Sequence, residues 1–312
     1  MLYKIVMNVE KSFSREFPIG IKTAQNETVC AIGDIHGNFH LMYDMVTKLG
    51  KDYFNSRLIF LGDLISRGPD SASCLLLAWH MAFENPHPFK KVEIILGNHE
   101  HGFFLPLVSD KYNFLAPFWA SKENSNHWMS SIWSVENKDK TYREIFISVL
   151  QKSEYGLFLG PEKCVELLDK WIEYAFVPFM HGIPKFINSP IFKKSGNVIF
   201  VHAGLNVTKS DLLKKFQRYN ILNHTTKDFK SSPIWMKKVF FDGLKTHIPT
   251  HKGKQMFIVH GHVIEKKRLK NGWIDMKPVG HRIGLDSGAY DTGILTAGIF
   301  STGKVVILEI KK

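Results

Sequence analysis

At 312 residues, 44% of them hydrophobic and 22% charged, the chain can bury a large single core and does not have the composition of a disordered segment. It has no repeat of fixed period and no apolar run near the ~18 residues of a membrane span. Its three cysteines, Cys30, Cys74 and Cys164, are too far apart and too apolar in context to be a disulfide framework. Net charge is +12, from 41 Lys and Arg against 29 Asp and Glu, which suits an anionic partner such as a phosphoester. The lysines are scattered, without interleaved aromatics, so neither a nucleic acid nor a membrane is expected as partner.

The first twenty residues, "MLYKIVMNVEKSFSREFPIG", lack a continuous apolar h-region, so no cleaved signal peptide is expected. The expected placement is cytoplasmic, leaving signal-independent export open. "TVCAIGD", "RLIFLGD" and "VEIILGN" follow. They are short Val- and Ile-rich runs, each closed by a Gly-containing polar turn, the pattern of strands covered on both faces. Between them a helix is expected from Asn38, as N-cap, to Gly50, as C-cap. A second begins after Pro69 and runs through "SASCLLLAWHMA". Alternating strands and helices predict an α/β layered domain.

Residues 103–190 change character. They hold Phe114, Phe118, Trp119, Trp128, Trp133 and Trp171, with helical periodicity best in "YREIFISVLQ" and "PEKCVELLDKWIEYAF". A helical insertion or cap within a single 1–312 domain is the expectation, its aromatics serving as core. "NVIFVHAG" and "QMFIVHGH" then read as further strands, as do "HRIGLDSG", "GILTAGIF" and "KVVILEI". A tight "STGK" turn joins the last two, so the sheets are expected to be mixed.

Chemistry-bearing side chains recur at these strand ends: Asp34 and His36, Asp63, Asn98 and His99, His202, and His262. Any one of them alone is ordinary, since a histidine at a strand end is more often a satisfied core or surface residue than a ligand, and "GD" and "GN" are common turns. Five strand ends each delivering an oxygen or imidazole donor is a different matter. Such donors without thiolate suit Mn, Fe or Zn, and two ions ~3.5–4 Å apart need a shared carboxylate.

In order, "GDIHGN", "GDLISRG", "GNHE", "VHAG" and "HGH" resemble the signature of the phosphoprotein phosphatase branch of calcineurin-like metallophosphoesterases, in its bacterial and phage form. "HRIGLDSGAYDTGILTAG" is similar to that group's C-terminal strands. The resemblance covers most of residues 28–102 and 197–310. It implies a four-layer α/β sandwich, a central mixed β-sandwich flanked by helices, with a dinuclear metal site at one edge. It implies Asp34 and His36 on the first metal, Asp63 bridging, and Asn98, His202 and His262 on the second. His99 becomes the general acid and Arg67 the phosphoryl clamp; His260 is then a strand neighbour. Two divalent ions are implied, manganese first, with iron or zinc as alternatives.

Two positions depart from the pattern. The protein phosphatases have an Asp just before the Arg of "GDxxDRG", which orients the catalytic histidine and raises its basicity; here Ser66 stands there, able to orient His99 but supplying no charge. Where bacterial members have Arg two residues after the Trp of a "LIW" segment, "PIWMKK" has Lys237, a point charge in place of a fork. The three cysteines have no adjacent base and are expected to be buried and inert. "GLDSG" is not a nucleophile elbow. His80, His87, His101 and His181 have no assigned role, and surface placement is expected for them. Tyr290, after "DSGA", lies where the resemblance brings a C-terminal loop to the site.

The expected activity is metal-dependent hydrolysis of a phosphoric monoester, with phosphorylated protein or peptide side chains (Ser/Thr, then Tyr) as leading substrates. The alternative is a dinucleotide hydrolase resembling the symmetrical diadenosine tetraphosphatases, which also lack the Asp at the position of Ser66. A catalytically inactive binding protein is the third reading, and the intact ligand series argues against it.

Overall fold

Val29 and Ala31 face one side of strand β2 (Val29–Ile32) and Cys30 and Ile32 the other, each pair in a different hydrophobic core. That two-sided burial is why the run is apolar throughout instead of alternating. β3 (Arg57–Phe60) pairs with β2 in parallel and repeats this burial through Leu58, Ile59 and Phe60. β4 (Lys91–Ile94) pairs with β3 in parallel, with Glu93 buried beside Arg57 and Lys193. The computed structural model describes residues 11–84, 87–108, 142–175, 191–208 and 232–311.

A six-stranded sheet has the order β1-β12-β11-β2-β3-β4. Its remaining strands are β1 (Lys11–Pro18), β11 (Ile294–Ser301) and β12 (Lys304–Lys311), all antiparallel to their neighbours. β11 and β12 form the expected hairpin. A four-stranded sheet has the order β10-β9-β6-β5, from β5 (Phe192–Ser195), β6 (Val198–Val201), β9 (Phe257–His260) and β10 (Arg282–Gly284). β6, β9 and β10 run parallel. β7 (Thr250–His251) and β8 (Lys254–Gln255) make a separate short hairpin.

The sheets meet face to face through Val29, Ala31, Ile59 and Ile95 on one side and Val198, Phe200, Val259 and Ile283 on the other. The outer face of the large sheet carries α1 (Phe39–Asp52) and α2 (Ser71–Phe83). The outer face of the small sheet packs Ile199, Val201 and Ile258 against Phe240 of α7 (Lys238–Leu244). Helix, sheet, sheet and helix give the four layers expected from the sequence.

Helices α3 (Asn98–Val108), α4 (Tyr142–Lys152), α5 (Glu154–Leu159) and α6 (Pro161–Ala175) occupy the described part of the aromatic middle. They join the helical core: Trp171 stacks on Trp79 of α2 at 5.7 Å between centroids, and Phe104 meets both tryptophans at 6.0 Å. Phe114, Phe118, Trp119, Trp128, Trp133 and His181 lie outside the described residues. All three cysteines are buried and unpaired with one another.

Some local expectations are corrected. Asn38 stands at the α1 N-cap, but its amide donates to Ile35 O and His36 O (2.8 and 3.1 Å) and does not cap. Gly50 does not stop the helix, which runs on to Asp52. The second helix does begin after Pro69, with Asp70 as its cap, accepting the Ser73 N–H at 2.9 Å. The strands β1 and β5 were not expected. "KSFSREFP" and "FKKS" are rich in charge, and partner strands, not periodicity, make them strands.

Candidate metal centre

Every residue of the "GD", "GNH" and "HG" motifs lies just past the C-terminal end of a strand: Asp34 and His36 after β2, Asp63 after β3, Asn98 and His99 after β4, His202 after β6, His262 after β9. The strand ends converge because β2, β3 and β4 are mutually parallel and β6 and β9 are mutually parallel. The turns that aim the side chains are strained. His36, Asp63, Ser66, Arg67 and His262 have φ between 49° and 73°, making five of the nine described non-glycine residues with positive φ. Each costs on the order of 1–3 kcal/mol, a strain that concentrates where function demands a geometry.

Two triads of donor atoms, His36–Asp63–His99 and Asp63–His202–His262, each lie within 4.8 Å of one another. Asp63 belongs to both, as a bridge requires. Its Oδ2 lies 3.7 Å from His36 Nε2 and 3.9 Å from His99 Nε2, and its Oδ1 lies 3.5 Å from His202 Nε2. The His99 N–H donates to Asp63 Oδ1 at 3.0 Å. Asn98 Oδ1 meets His202 Nε2 at 3.0 Å and His262 Nδ1 at 2.9 Å. His202 and His36 donate their Nδ1–H to Leu61 O and Ile65 O, both at 2.9 Å, which turns their Nε2 atoms inward. Backbone carbonyls orienting ligand rings is second-sphere support of the kind metal sites use.

The electrostatics call for a cation at this point. Burial opposes a charge on His202, yet the Asp63 and Asp34 carboxylates outweigh it and hold the imidazolium up to about 10. Burial likewise opposes the Asp63 charge, but His202 and His99 keep its carboxyl well below the usual range. A divalent ion between Asp63, Asn98 and His202 would provide the positive charge that the His202 proton otherwise supplies. Burial, helped by the His202 charge, pushes His262 down to about 3, a neutral ring suited to ligation. The donor set is nitrogen and oxygen without thiolate, which fits manganese, iron or zinc.

A model of the calcineurin-like phosphoesterases matches residues 27–272. The chain belongs to that family. An asymmetrical bis(5'-nucleosyl)-tetraphosphatase, PrpE, from Oceanobacillus iheyensis is 24% identical over 85% of this chain and 86% of its own length. A symmetrical bis(5'-nucleosyl)-tetraphosphatase from Buchnera aphidicola is 30% identical over 35% of this chain and 40% of its own length. Serine/threonine-protein phosphatase 1 from Salmonella typhimurium is 39% identical over 19% of this chain and 29% of its own length. The chain thus spans well under half of the last two relatives. A solved structure of a cold-active protein tyrosine phosphatase covers 92% of this chain and 77% of its own, at 13% identity and a TM-score of 0.53, a likeness of fold. Among the described residues no helix is long and apolar enough to cross a membrane.

In this phosphoesterase Asp34 falls outside both triads. Its two carboxylate oxygens receive the His262 N–H at 3.1 and 3.0 Å, because the left-handed turn at His262 faces that amide towards β2. His99, expected as the acid, lies within ligand range of the first triad. Burial lowers its pKa, and the nearby Asp63 carboxylate only partly offsets this. Ser66 does not orient a ring as expected. Its Oγ is buried without a hydrogen-bond partner among the described residues, and its N–H is tied to Ser71 Oγ at 2.9 Å. Lys237 is exposed and near enough for its charge to bear on His262.

Three residues near the centre had no role in the motif pattern or only a faint one. Glu100, the last letter of "GNHE", accepts N–H groups from Asp63 (2.7 Å), Gly97 (3.0 Å) and Ile65 (3.1 Å), so it holds the bridging loop in place. Asp286 is buried; burial does most to raise the Asp34 pKa, and the Asp286 charge adds to it. Tyr290 places its ring edge-on to His36 at 5.4 Å and under the Arg67 guanidinium at 4.6 Å. The surface expectation is corrected for His101, which is buried beside Trp235, whose Nε1–H points to it at 3.4 Å; His80 is half-buried and bonds Tyr155 Oη at 2.9 Å.

Proposed function

We propose that this phosphoesterase is a phosphoprotein phosphatase, hydrolysing phosphate monoesters on protein side chains, with aryl phosphates ahead of alkyl ones. The observation that carries the reading is the Arg67 guanidinium lying 4.6 Å from the centroid of the partly exposed Tyr290 ring, itself against His36. A planar fork for one phosphoryl group thus stands beside an aromatic face that can stack on a leaving phenol. Asp34 and His36 would hold one ion, Asn98, His202 and His262 the other, and Asp63 both. When bound, two divalent ions neutralise phosphate charge and bring an attacking water towards hydroxide at neutral pH. Arg67 binds and orients the phosphoryl oxygens, with Lys237 as a second cation. His99 holds the proton destined for the leaving oxygen. A serine in place of the carboxylate before Arg67 leaves His99 one anion fewer, which favours leaving groups that need little protonation, and phenolate is one.

Cleavage of a dinucleoside tetraphosphate is the second reading, favoured by the tetraphosphatase relative that matches 85% of this chain. One manganese-supplemented panel separates the two: phosphotyrosyl, phosphothreonyl and phosphoseryl peptides beside diadenosine tetraphosphate, compared by kcat/KM. The phosphatase reading expects phosphotyrosyl peptide first. Turnover of the dinucleotide alone replaces it with the second reading, and turnover of none rejects both.

A further inference from the structure

We infer that the chain carries a second anion site, far from the metal cluster, that binds the phosphate chain of an oligophosphate. Lys22, Lys194, Lys252 and Lys254 line a cavity of about 360 Å³, within the range of about 300–1,000 Å³ that small-molecule sites occupy. Four separate positions supply these cations: the loop after β1, strand β5, the turn of the β7–β8 hairpin and strand β8. Asn197 fixes one wall, accepting the Lys22 N–H at 2.7 Å and donating to Gly20 O at 3.2 Å.

The four lysines differ from several others among the described residues. Lys48, Lys91, Lys163, Lys170, Lys193 and Lys304 each stand within 4.0 Å of a carboxylate. No ion pair joins any of the four cavity lysines to a carboxylate among the described residues. Partial desolvation, then the charges of Lys252 and Lys254, lower the pKa of the exposed Lys194; these cations repel one another, and a bound anion relieves that. Lys252 also adopts φ +50° ahead of Gly253 at +74°. That two-residue turn favours Asn or Gly, so the hairpin keeps a lysine where the backbone prefers another residue.

The cavity is not an extension of the catalytic centre. Asn197 immediately precedes β6 and His202 immediately follows it, so five strand rises, about 17 Å, separate the two ends. A phosphoryl group at the metals cannot also fill the cavity. The charges of four lysines grouped around one cavity match a chain of phosphates better than a single one, and either inorganic triphosphate or a nucleoside triphosphate carries that chemistry.

The test is calorimetric titration of the full chain with inorganic triphosphate and, separately, with ATP. It compares the parent, the double variant Lys194→Gln/Lys254→Gln, and Arg67→Ala. Each lost lysine–phosphate contact is worth about tenfold in affinity, so the double variant should bind about a hundredfold more weakly. Its hydrolysis of an aryl phosphate should be unchanged, and Arg67→Ala should bind triphosphate like the parent. ATP tighter than triphosphate means that the nucleoside is seated too, and equal affinities mean that phosphate alone is read; both support the site. A parent that binds neither probe, a double variant that titrates like the parent, or binding lost in Arg67→Ala overturns it.

Discussion

Replacing Gly261 by alanine tests whether the "HGH" turn is built around the Asp34 carboxylate. A Cβ at position 261 would fall far inside 3.0 Å of Asp34 Oδ1, with Cγ at 3.1 Å. Ordinary contact begins near 3.4 Å, so the carboxylate or the 261–262 backbone must move by roughly 1 Å. Either movement breaks the paired bonds from His262 N–H to Asp34 (3.0 and 3.1 Å). A hydrogen bond to a charged group contributes about 1.5–3 kcal/mol. The same shift displaces His262, whose ring meets Asn98 at 2.9 Å. Disturbing the support of metal ligands costs about 10–100-fold in metal affinity or activity, and a misplacement of about 1 Å can cost about a hundredfold in rate. Gly261→Ala should therefore bind manganese at least tenfold more weakly and lose most aryl-phosphatase activity, while still unfolding cooperatively at a temperature a few degrees lower. Metal titration, steady-state kinetics and a thermal melt on one preparation read all three. Parental metal affinity and kcat in a folded variant would refute the claim that Asp34 and the His262 turn form one unit.

Asp63→Asn should lose both ions and His202→Ala mainly one, as elemental analysis of each purified variant would show; two ions and full activity in Asp63→Asn would remove the bridge. Arg67→Ala should cost more in kcat/KM than Lys237→Ala, because a bidentate fork is lost, and Lys237→Arg should be tolerated. Ser66→Asp should raise the His99 pKa through the added negative charge, move the alkaline limb of the pH–rate profile upward and help phosphoserine more than aryl phosphate. An unmoved limb would mean that the position does not act on His99. Glu309, buried in β12, is pushed up to about 7 by burial despite Arg15. The folded state therefore holds this proton more tightly than the unfolded one, and the stability it contributes below the unfolded value of about 4.5 is lost as pH rises through about 7. Glu309→Gln should flatten the fall in melting temperature between pH 5 and 8, and equal slopes in parent and variant would count against that account.

The local sequence determined which strands are central and which residues sit at their tips. Two-sided burial forces a largely apolar run, broken only by the ion-paired Glu93, and a tight turn forces Gly beside Asp or Asn, so "TVCAIGD", "RLIFLGD" and "VEIILGN" are legible as strands from their residues alone. The ligand residue types are legible for the same reason. Other features were decided only in three dimensions. β1 and β5 are strands because β12 and β6 offer them open edges, which no property of "KSFSREFP" or "FKKS" records. Glu100 serves Asp63 across 37 positions of chain, and Tyr290 reaches Arg67 only because the C-terminal strand pair folds back beside β2. Ser66 looks like an orienting partner of His99 by position in the motif, but a left-handed turn ties its backbone to Ser71 and leaves its hydroxyl without a partner among the described residues. The cavity lysines are indistinguishable from solvated ones in a chain of scattered charge. Their meeting depends on the loop after β1, strand β5 and the β7–β8 hairpin converging at the end of β6 away from the metals, and long-range convergence of that kind leaves no local periodicity to read.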